Sequence, residues 1–417
     1  MNSQVAAAKA IKRCRELAGI TETPGQTLRT FLSPAMRECM QVVGSWMAAA
    51  GMSAVIDAAG NLRGLYPGTQ AHAPRLLIGS HLDTVPNAGA FDGVLGVMLG
   101  LALVESLEGR ALPFAIEVVA FSEEEGVRYR IPFLGSRALV GTVDRELLCA
   151  QDERGVSVRE AIEAFGLNPA GLSSPLLDAN ARGYLEFHIE QGPVLESEGL
   201  SLGVVDRIAG QTRGDITFSG SSNHAGTTPM HLRKDAMVAA AQWICEVERI
   251  ALSIQDLVAT VGRLTVHPGA GNVIAGGAQA SLDVRHPEDA IRRMAVEELV
   301  GRANSIAVSR GLQAKWHMHT ETSAVRMNTR LSHLAFEAVC KTGSRPLRMT
   351  SGAGHDAMIL AERLPSAMIF LRSPGGISHH PEETVHAEDV ANALEAGMRF
   401  LDEFEKDLAG TEEDMHA

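Results

Sequence analysis

Short, continuous apolar segments alternate along this chain with helical segments, and this alternation limits the fold more than any other feature. Residues 75–79 and 114–121 have the length of buried strands, and residues 94–107 between them form an apolar helix. A helix at 355–363 and a strand at 366–371 follow near the C-terminus. The alternation predicts an α/β fold with a largely parallel sheet covered by helices. In such sheets, catalytic groups gather at the carboxyl ends of the strands.

A different order of elements begins near residue 210. It predicts a βαββαβ domain, the ferredoxin-like pattern, with strands at 213–219, 258–267, 272–285 and 312–320 and helices at 234–250 and 288–310. This segment has its own potential core and interrupts the α/β alternation. We therefore predict an inserted domain at 211–325, and a first domain formed by 1–210 and 326–417.

Composition and charge exclude several functional classes. Apolar residues make up 45% of the 417 positions, which is enough for a sizeable core. Thirty-seven basic residues against 50 acidic ones give a net charge of −13, which would repel the phosphate backbone of a nucleic acid. The motifs GxSxG, GxxxxGK, GxGxxG and HExxH are absent, which argues against common serine hydrolases, P-loop nucleotidases, Rossmann oxidoreductases and zincins.

The cysteines and the apolar runs indicate a cytoplasmic protein without a membrane partner. The five cysteines are odd in number, are scattered and include no CxxC pair, which is typical of reduced thiols. The longest apolar run, residues 94–104, ends at Glu105, whereas a transmembrane helix needs roughly 20 residues. Residues 1–17 lack the apolar core of a signal peptide.

Histidines and carboxylates directly follow the predicted strands. The relevant stretches are SHLDT from residue 80, AFDG from 90, SEEEG from 122, EFHIEQG from 186 and GISHHP from 376. Taken singly, a histidine beside a strand is usually a hydrogen-bonded residue, and three consecutive glutamates are usually a solvated helix start. Taken together, they would place uncompensated charges side by side unless a cation lay among them.

The chemistry of these side chains indicates which cation they would bind. Histidine and carboxylate donors without thiolates suit Zn²⁺, Mn²⁺, Co²⁺ or Ni²⁺. Three ligands for each ion, with one shared carboxylate, would form a site that holds two ions about 3.5–4 Å apart. The residues therefore predict a binuclear metal site and leave the identity of the metal open.

Six motifs, which span most of the chain, resemble those of a known family: GSHLDTV at 79–85, AFDGVLG at 90–96, EEEGVR at 123–128, FHIEQGPVLE at 187–196, NHAGTTPM at 223–230 and GISHHPEE at 376–383. The family is that of the co-catalytic metallopeptidases, which includes carboxypeptidase G and the acetylornithine and succinyl-diaminopimelate deacylases. Within it, the sequence resembles the hydantoinase/carbamoylase branch. The resemblance implies a zinc-peptidase-like mixed sheet, with the inserted domain as a lid and dimerisation domain.

The same resemblance implies a set of five metal ligands. His81 and His188 would bind the first metal, Glu125 and His379 would bind the second, and Asp92 would bridge the two. In the deacylase branches a carboxylate stands at the position of His188, so the histidine here indicates the carbamoylase branch.

Two further residues would support the chemistry of the metals. Asp83 would orient the ring of His81 through the second ring nitrogen. Glu124 would be the general base that accepts a proton and delivers it to the leaving nitrogen. We do not expect His380 to be a ligand, because the first histidine binds the metal in the family pattern GxSHxP.

The substrate contacts are also implied by the resemblance. His224 would stabilise the oxyanion and would reach across a homodimer interface into the partner's site. Asn272 and Arg285 would bind a substrate carboxylate, for which a bidentate guanidinium is suited. Gln191 would contact the ureido group. His355, in SGAGHDAM, remains open between a residue near the pocket and a helix cap.

The implied activity is hydrolysis of the ureido C–N bond of an N-carbamoyl-L-amino acid, which yields the amino acid, ammonia and carbon dioxide. Allantoate is the alternative substrate, since it also carries a ureido group and a carboxylate. An N-acyl amino acid deacylase or dipeptidase and a non-catalytic binding protein on the same fold are more distant alternatives. The loop FLRSPGG at 370–376 departs from the commonest branch pattern, which leaves the pocket for the substrate side chain open.

Overall fold

The computed structural model describes residues 2–416 and the side chains of residues 2–410. The chain divides into two compact units. Unit 1 comprises Met1–Asp206 and Arg326–Ala417, and unit 2 comprises Arg207–Val325. The assignment of unit 1 to catalysis and of unit 2 to a lid and dimerisation domain remains a prediction.

Both units contain strands and helices. The strands are β1 (Ser53–Ile56), β2 (Leu62–Tyr66), β3 (Arg75–His81), β4 (Ala115–Phe121), β5 (Ala181–Ile189), β6 (Leu202–Ile208), β7 (Gly210–Ser219), β8 (Val258–Thr260), β9 (Leu264–His267), β10 (Gly277–His286), β11 (Gln313–Thr322), β12 (Val325–Arg326), β13 (Leu347–Ser351) and β14 (Ser366–Leu371). The α-helices are α1 (Ser3–Ala18), α2 (Pro34–Ala49), α3 (Val94–Ser106), α4 (Leu134–Val140), α5 (Arg145–Cys149), α6 (Val158–Ala164), α7 (Val194–Ser197), α8 (Ala236–Ser253), α9 (Asp289–Ser309), α10 (Thr329–Cys340), α11 (Asp356–Leu360) and α12 (Ala387–His416). Within residues 2–416, none of these helices has the length and apolar character to cross a bilayer.

The large sheet has the strand order β1-β2-β4-β3-β5-β14-β6-β12, and β13 pairs with β6. The four central strands β4, β3, β5 and β14 are parallel. On either side, β2 and β6 pair antiparallel with this parallel group. Strands β4 and β14 are buried along their whole length, which explains why they are continuous apolar runs in the sequence. The predicted fold class, a mixed sheet covered by helices, is confirmed.

Helix α3 lies in the core and brings its first turn to the carboxyl ends of the central strands. Every residue from Val94 to Val104 is buried, as expected for a helix that is apolar on all sides. The helix packs against β3 and β5 and can approach β5 closely, because a Cβ on Gly96 would lie 2.2 Å from the carbonyl oxygen of Phe187. Asp92 precedes this helix, so its position depends on how α3 is packed.

Unit 2 contains an antiparallel sheet of order β11-β7-β10-β8, in which β9 also pairs with β10. Helices α8 and α9 pack on this sheet through a core that includes Phe218, Trp243 and Leu299. The indole N–H of Trp243 donates to the carbonyl oxygen of Leu299 at 2.9 Å, which satisfies its polar atom inside the core.

Two predicted strands of unit 2 differ from those in the structure. The strand predicted at 258–267 is divided into β8 and β9, and the backbone N–H of Arg263 next to the break donates to the Ser281 hydroxyl. The strand predicted at 272–285 begins only at Gly277. The residues before it pair instead with the loop that carries His224, since Ile274 donates its N–H to the carbonyl oxygen of Asn223.

Candidate metal centre

The parallel pairing of the central strands brings the predicted ligands to one edge of the large sheet. His81 is the last residue of β3, and it lies opposite Phe121, the last residue of β4. Glu125 follows β4 by four positions, and His188 lies near the end of β5. His379 follows β14 through a short loop. Because parallel strands all end at the same edge, residues far apart in the sequence become neighbours.

Five predicted ligands form what we call the strand-end cluster: His81, Asp92, Glu125, His188 and His379. Ligand atoms of His81, Asp92 and His188 lie within 4.8 Å of one another, and so do those of Asp92, Glu125 and His379. Asp92 belongs to both groups. Its Oδ1 lies 3.4 Å from Nε2 of His188, and its Oδ2 lies 3.0 Å from Nε2 of His379. A carboxylate that presents one oxygen to each group is placed as a bridging ligand would be.

The two buried histidines direct their Nε2 ring nitrogen to this cluster. Nδ1 of His81 donates to the carbonyl oxygen of Asp83 at 2.9 Å, and Nδ1 of His188 donates to that of Ile189 at the same distance. Each bond leaves Nε2 as the ring nitrogen that faces the cluster. Nε2 of His188 is buried and has no hydrogen-bond partner among the described residues. An orphaned nitrogen beside carboxylates fits a divalent cation, so the residues present are suited to bind metal.

Burial and neighbouring charges shift the pKa values of the side chains in this cluster. Burial raises the pKa of Glu125 to about 7 and lowers that of His188 to about 4. Burial and then the carboxylate of Glu125 raise the pKa of Glu124 well above its usual range. Burial alone would also raise the pKa of Asp92, but its hydrogen bond with His379 and the charges of the nearby histidines lower it.

Asp83 contacts His81 differently from the prediction. Its carbonyl oxygen, not its carboxylate, accepts the ring N–H, and Oδ1 lies 3.8 Å from Nδ1 of His81. The carboxylate of Asp83 instead accepts the backbone N–H groups of Glu124 at 3.1 Å and Glu125 at 3.0 Å. Asp83 therefore contacts both the His81 ring and the turn that carries the two glutamates.

The three consecutive glutamates have three different environments, and none is a solvated helix start. Glu123 points away from the cluster and accepts the backbone N–H groups of Arg128 and Tyr129. Oε2 of Glu124 lies 3.8 Å from Nε2 of His81, at the inner side of the cluster. Glu125 lies next to His379, with Oε1 3.5 Å from Nε2. Glu123 has a φ of 54°, so the chain turns sharply after β4.

The structure distinguishes the two neighbouring histidines near the C-terminus. His379 has a φ of 55° and directs its ring to Asp92 and Glu125. The ring of His380 instead accepts the backbone N–H of Glu382 through Nδ1. Non-glycine residues in this backbone region are uncommon and concentrate at functional sites. Among the two, His379 is the one that the fold directs into the strand-end cluster.

Gln191, which the family resemblance implies as a contact of the ureido group, lies beside the strand-end cluster. Its amide Nε2 donates to Oδ1 of Asp92 at 3.0 Å, and its Oε1 is buried without a hydrogen-bond partner among the described residues. The backbone N–H of Gln191 donates to the hydroxyl of Ser373 at 3.0 Å. Ser373 belongs to the loop FLRSPGG, so this unusual loop directly fixes the backbone at Gln191.

Sequence reasoning missed the buried residue Glu383 and left the position of His355 open. Glu383 accepts the backbone N–H groups of Phe91 and Asp92, and only its place in the HHPEE stretch could have drawn attention to it. The ring of His355 lies 4.5 Å from that of His188, and its Nε2 is 2.9 Å from the Ser351 hydroxyl. This places His355 next to the cluster without a helix-capping side-chain bond.

The predicted substrate residues of unit 2 lie on one loop and one strand. His224 forms an isolated bridge with Val273, and Ala225 donates its N–H to the carbonyl oxygen of Asn272 at 2.9 Å. His224 and Asn272 are therefore neighbours in space. Arg285 lies on β10, where its Nε and Nη2 donate to the two oxygens of Asp283.

A helix-covered mixed sheet with this cluster of histidines and carboxylates at the strand ends is that of a metallohydrolase. Residues 77–403 match Peptidase family M20/M25/M40, and the chain belongs to this family. This match and the amidohydrolases among the similar proteins confirm the enzyme class predicted from the sequence, a metal-dependent hydrolase of carbon–nitrogen bonds.

Similar proteins, one of them a solved structure, align with nearly the whole chain. An N-carbamoyl-L-amino acid amidohydrolase of Geobacillus stearothermophilus is 39% identical over 388 residues, which cover 92% of this chain and 95% of that protein. A probable allantoate deiminase of Oryza sativa subsp. japonica is 36% identical over 438 residues, which cover 96% and 89%. An amidase of the hydantoinase/carbamoylase family from Burkholderia multivorans aligns with a TM-score of 0.90 at 32% identity and covers 95% and 97%.

Proposed function

We propose that this enzyme hydrolyses the ureido C–N bond of N-carbamoyl-L-amino acids. The observation that carries the proposal is the combination of His188 within the strand-end cluster and the amide of Gln191 beside Asp92. Oε1 of Gln191 has no hydrogen-bond partner among the described residues and can accept an N–H bond from a ureido group. The relative from Geobacillus stearothermophilus supports this substrate, and the rice relative supports allantoate as the second candidate.

The strand-end cluster would hold two divalent cations, with Asp92 shared between them. His81 and His188 would complete one site, and Glu125 and His379 would complete the other. When bound, such ions polarise a carbonyl group and make an attacking water more acidic. The donor set is compatible with Zn²⁺, Mn²⁺, Co²⁺ or Ni²⁺.

Glu124 would accept the proton of the attacking water and transfer it to the leaving nitrogen. Its carboxylate is buried against the cluster, and burial raises its pKa well above the usual range of a glutamate. Addition of water to the ureido carbonyl forms a new C–O bond, and cleavage of one C–N bond leaves a carbamic acid. This carbamic acid then loses carbon dioxide as its remaining C–N bond breaks. The products are the amino acid, ammonia and carbon dioxide.

Arg285→Ala is expected to raise KM for a carboxylate substrate by about 10- to 100-fold and to change kcat much less. A charge-assisted hydrogen bond contributes about 1.5–3 kcal/mol, and each 1.4 kcal/mol corresponds to a tenfold change in affinity. Steady-state kinetics with an N-carbamoyl-L-amino acid measure the effect. Arg213→Ala is the matched control, because Arg213 also donates to Asp283 but has a half-exposed side chain. An unchanged KM in Arg285→Ala would exclude Arg285 from carboxylate binding.

We further propose a homodimer in which His224 acts in the partner's site. His224 lies on an exposed loop, and the large apolar side chains of Met230, Leu232 and Met237 that follow it are more than half exposed. Exposed apolar side chains that are close together indicate a protein interface.

Mixed dimers test this arrangement. Each of the two variants His224→Ala and Glu124→Gln is expected to be nearly inactive alone. When equal amounts of the two variant chains are refolded together or co-expressed, the mixture should regain about a quarter of wild-type activity. Half of the dimers would be mixed, and each of these would contain one complete site. Mixtures that remain inactive would show that His224 acts within its own chain.

The cysteines support a reducing compartment such as the cytoplasm. All five are free, and Cys14 and Cys39 are buried in the core of unit 1. Disulfides are rare in such compartments.

Product release from matched substrates tests the proposed reaction. Manganese-reconstituted enzyme would be given allantoate, several N-carbamoyl-L-amino acids and the corresponding N-acetyl-L-amino acids. Ammonia from a carbamoyl amino acid is expected, and faster release from allantoate would favour the second candidate. Free amine from the acetyl compounds, without ammonia from any ureido compound, would contradict the proposal.

A further inference from the structure

We propose that Glu383 is a positioning residue of the metal centre, which sets the distance between the two ligands Asp92 and His379. This inference rests on the metal binding proposed above. It concerns a residue outside the strand-end cluster, whose carboxylate connects the two chain segments that carry these ligands.

The contacts of Glu383 are directed to the backbone in front of Asp92. Oε1 accepts the N–H of Phe91 at 2.8 Å and the N–H of Asp92 at 3.0 Å. The side chain is only 5% exposed, so both bonds are shielded from water. These N–H groups lie just before α3, where the positive end of the helix dipole also favours a carboxylate. Glu383 thus fixes the position from which the Asp92 carboxylate extends.

The same residue is fixed to the segment that carries His379. The N–H of Glu383 donates to the carbonyl oxygen of His380 at 3.0 Å, which closes a turn directly after His379. The hydroxyl of Ser378, on the other side of His379, lies 3.4 Å from Oε2 of Glu383 and 3.5 Å from Oδ2 of Asp92. A shift of Glu383 would therefore move both ligands relative to each other.

Gly89 shows how closely the two segments approach. A Cβ added at this position would lie 2.4 Å from Cβ and 2.5 Å from Oε1 of Glu383. Such a contact is too short, so one segment would have to move. Gly89→Ala therefore changes the position of Glu383 relative to the segment that carries Asp92, without replacing its carboxylate, and it provides a second, independent perturbation.

Metal titration of the metal-free protein tests the proposal without the use of a substrate. Glu383→Ala is expected to weaken the binding of one Mn²⁺ or Zn²⁺ by about 10- to 100-fold, the usual effect of removing a group that orients a ligand. Glu383→Gln should restore much of the affinity, because its amide oxygen can accept the same N–H bonds. Gly89→Ala should weaken the same ion. Glu382→Ala is the matched control, since the neighbouring side chain is 77% exposed.

The readouts separate positioning from general stability. Wild-type metal affinity in both Glu383→Ala and Gly89→Ala would overturn the proposal, and so would a loss of thermal stability of the metal-free protein without a change in metal affinity. A third outcome separates this proposal from the proposed function. If the wild-type protein binds the ions and the substitutions weaken that binding, but the wild-type protein hydrolyses no ureido compound, the proposed substrate is contradicted and the role of Glu383 is supported.

Discussion

Glu124→Gln is expected to lower kcat by about 10²–10⁴-fold, the usual contribution of a general base, while the metal content stays at the wild-type level. Glutamine has nearly the same shape as glutamate but does not accept a proton at neutral pH. The backbone of residue 124 is held by the carboxylate of Asp83, so the replacement side chain should occupy the same space. Steady-state kinetics and metal analysis of the same preparations provide the measurement.

The neighbouring Glu123→Gln is a matched control for this prediction. Glu123 accepts the backbone N–H groups of Arg128 and Tyr129 through Oε1, and a glutamine oxygen can accept them as well. Its Oε2 is buried without a hydrogen-bond partner among the described residues, so the variant is expected to lose stability but not kcat. Near-wild-type turnover by Glu124→Gln would remove Glu124 from the role of base.

The location of the site could be predicted because it depends on local patterns. Continuous apolar runs indicated buried parallel strands, and polar residues directly after such runs have to lie at one edge of the sheet. The order of the strands could not be read in this way, because β3 lies between β4 and β5 through pairings that no local pattern records. The roles of the single residues came from the family motifs.

Contacts between distant segments could not be predicted from the sequence. Glu383 binds the backbone 292 positions away at Phe91, and no periodicity or composition indicates such a bond. The turn at His379 is a similar case, since its positive φ results from the surrounding loops rather than from the preference of histidine. The partner of the His81 ring, a carbonyl oxygen rather than the expected carboxylate, depends on how the chain bends after β3.

Asp92→Asn is expected to remove both ions and to lower kcat by about 10³-fold or more. Metal ions contribute several kcal/mol to transition-state stabilisation, and each 1.36 kcal/mol is a tenfold change in rate. Asparagine would retain an oxygen for the amide of Gln191 but would lose the charge that both groups of ligands share. Metal analysis after dialysis, together with kcat, measures the result.

The metal contents of two histidine variants serve as references for this prediction. His379→Ala should lower the metal content by one ion, because His379 belongs only to the group formed with Asp92 and Glu125. His380→Ala should leave the metal content unchanged, since its ring bonds to the backbone of Glu382. If His380→Ala alone released metal, the ligand assignment would be displaced by one residue. If Asp92→Asn released only one ion, Asp92 would not bridge the two, and the centre would consist of two separate sites.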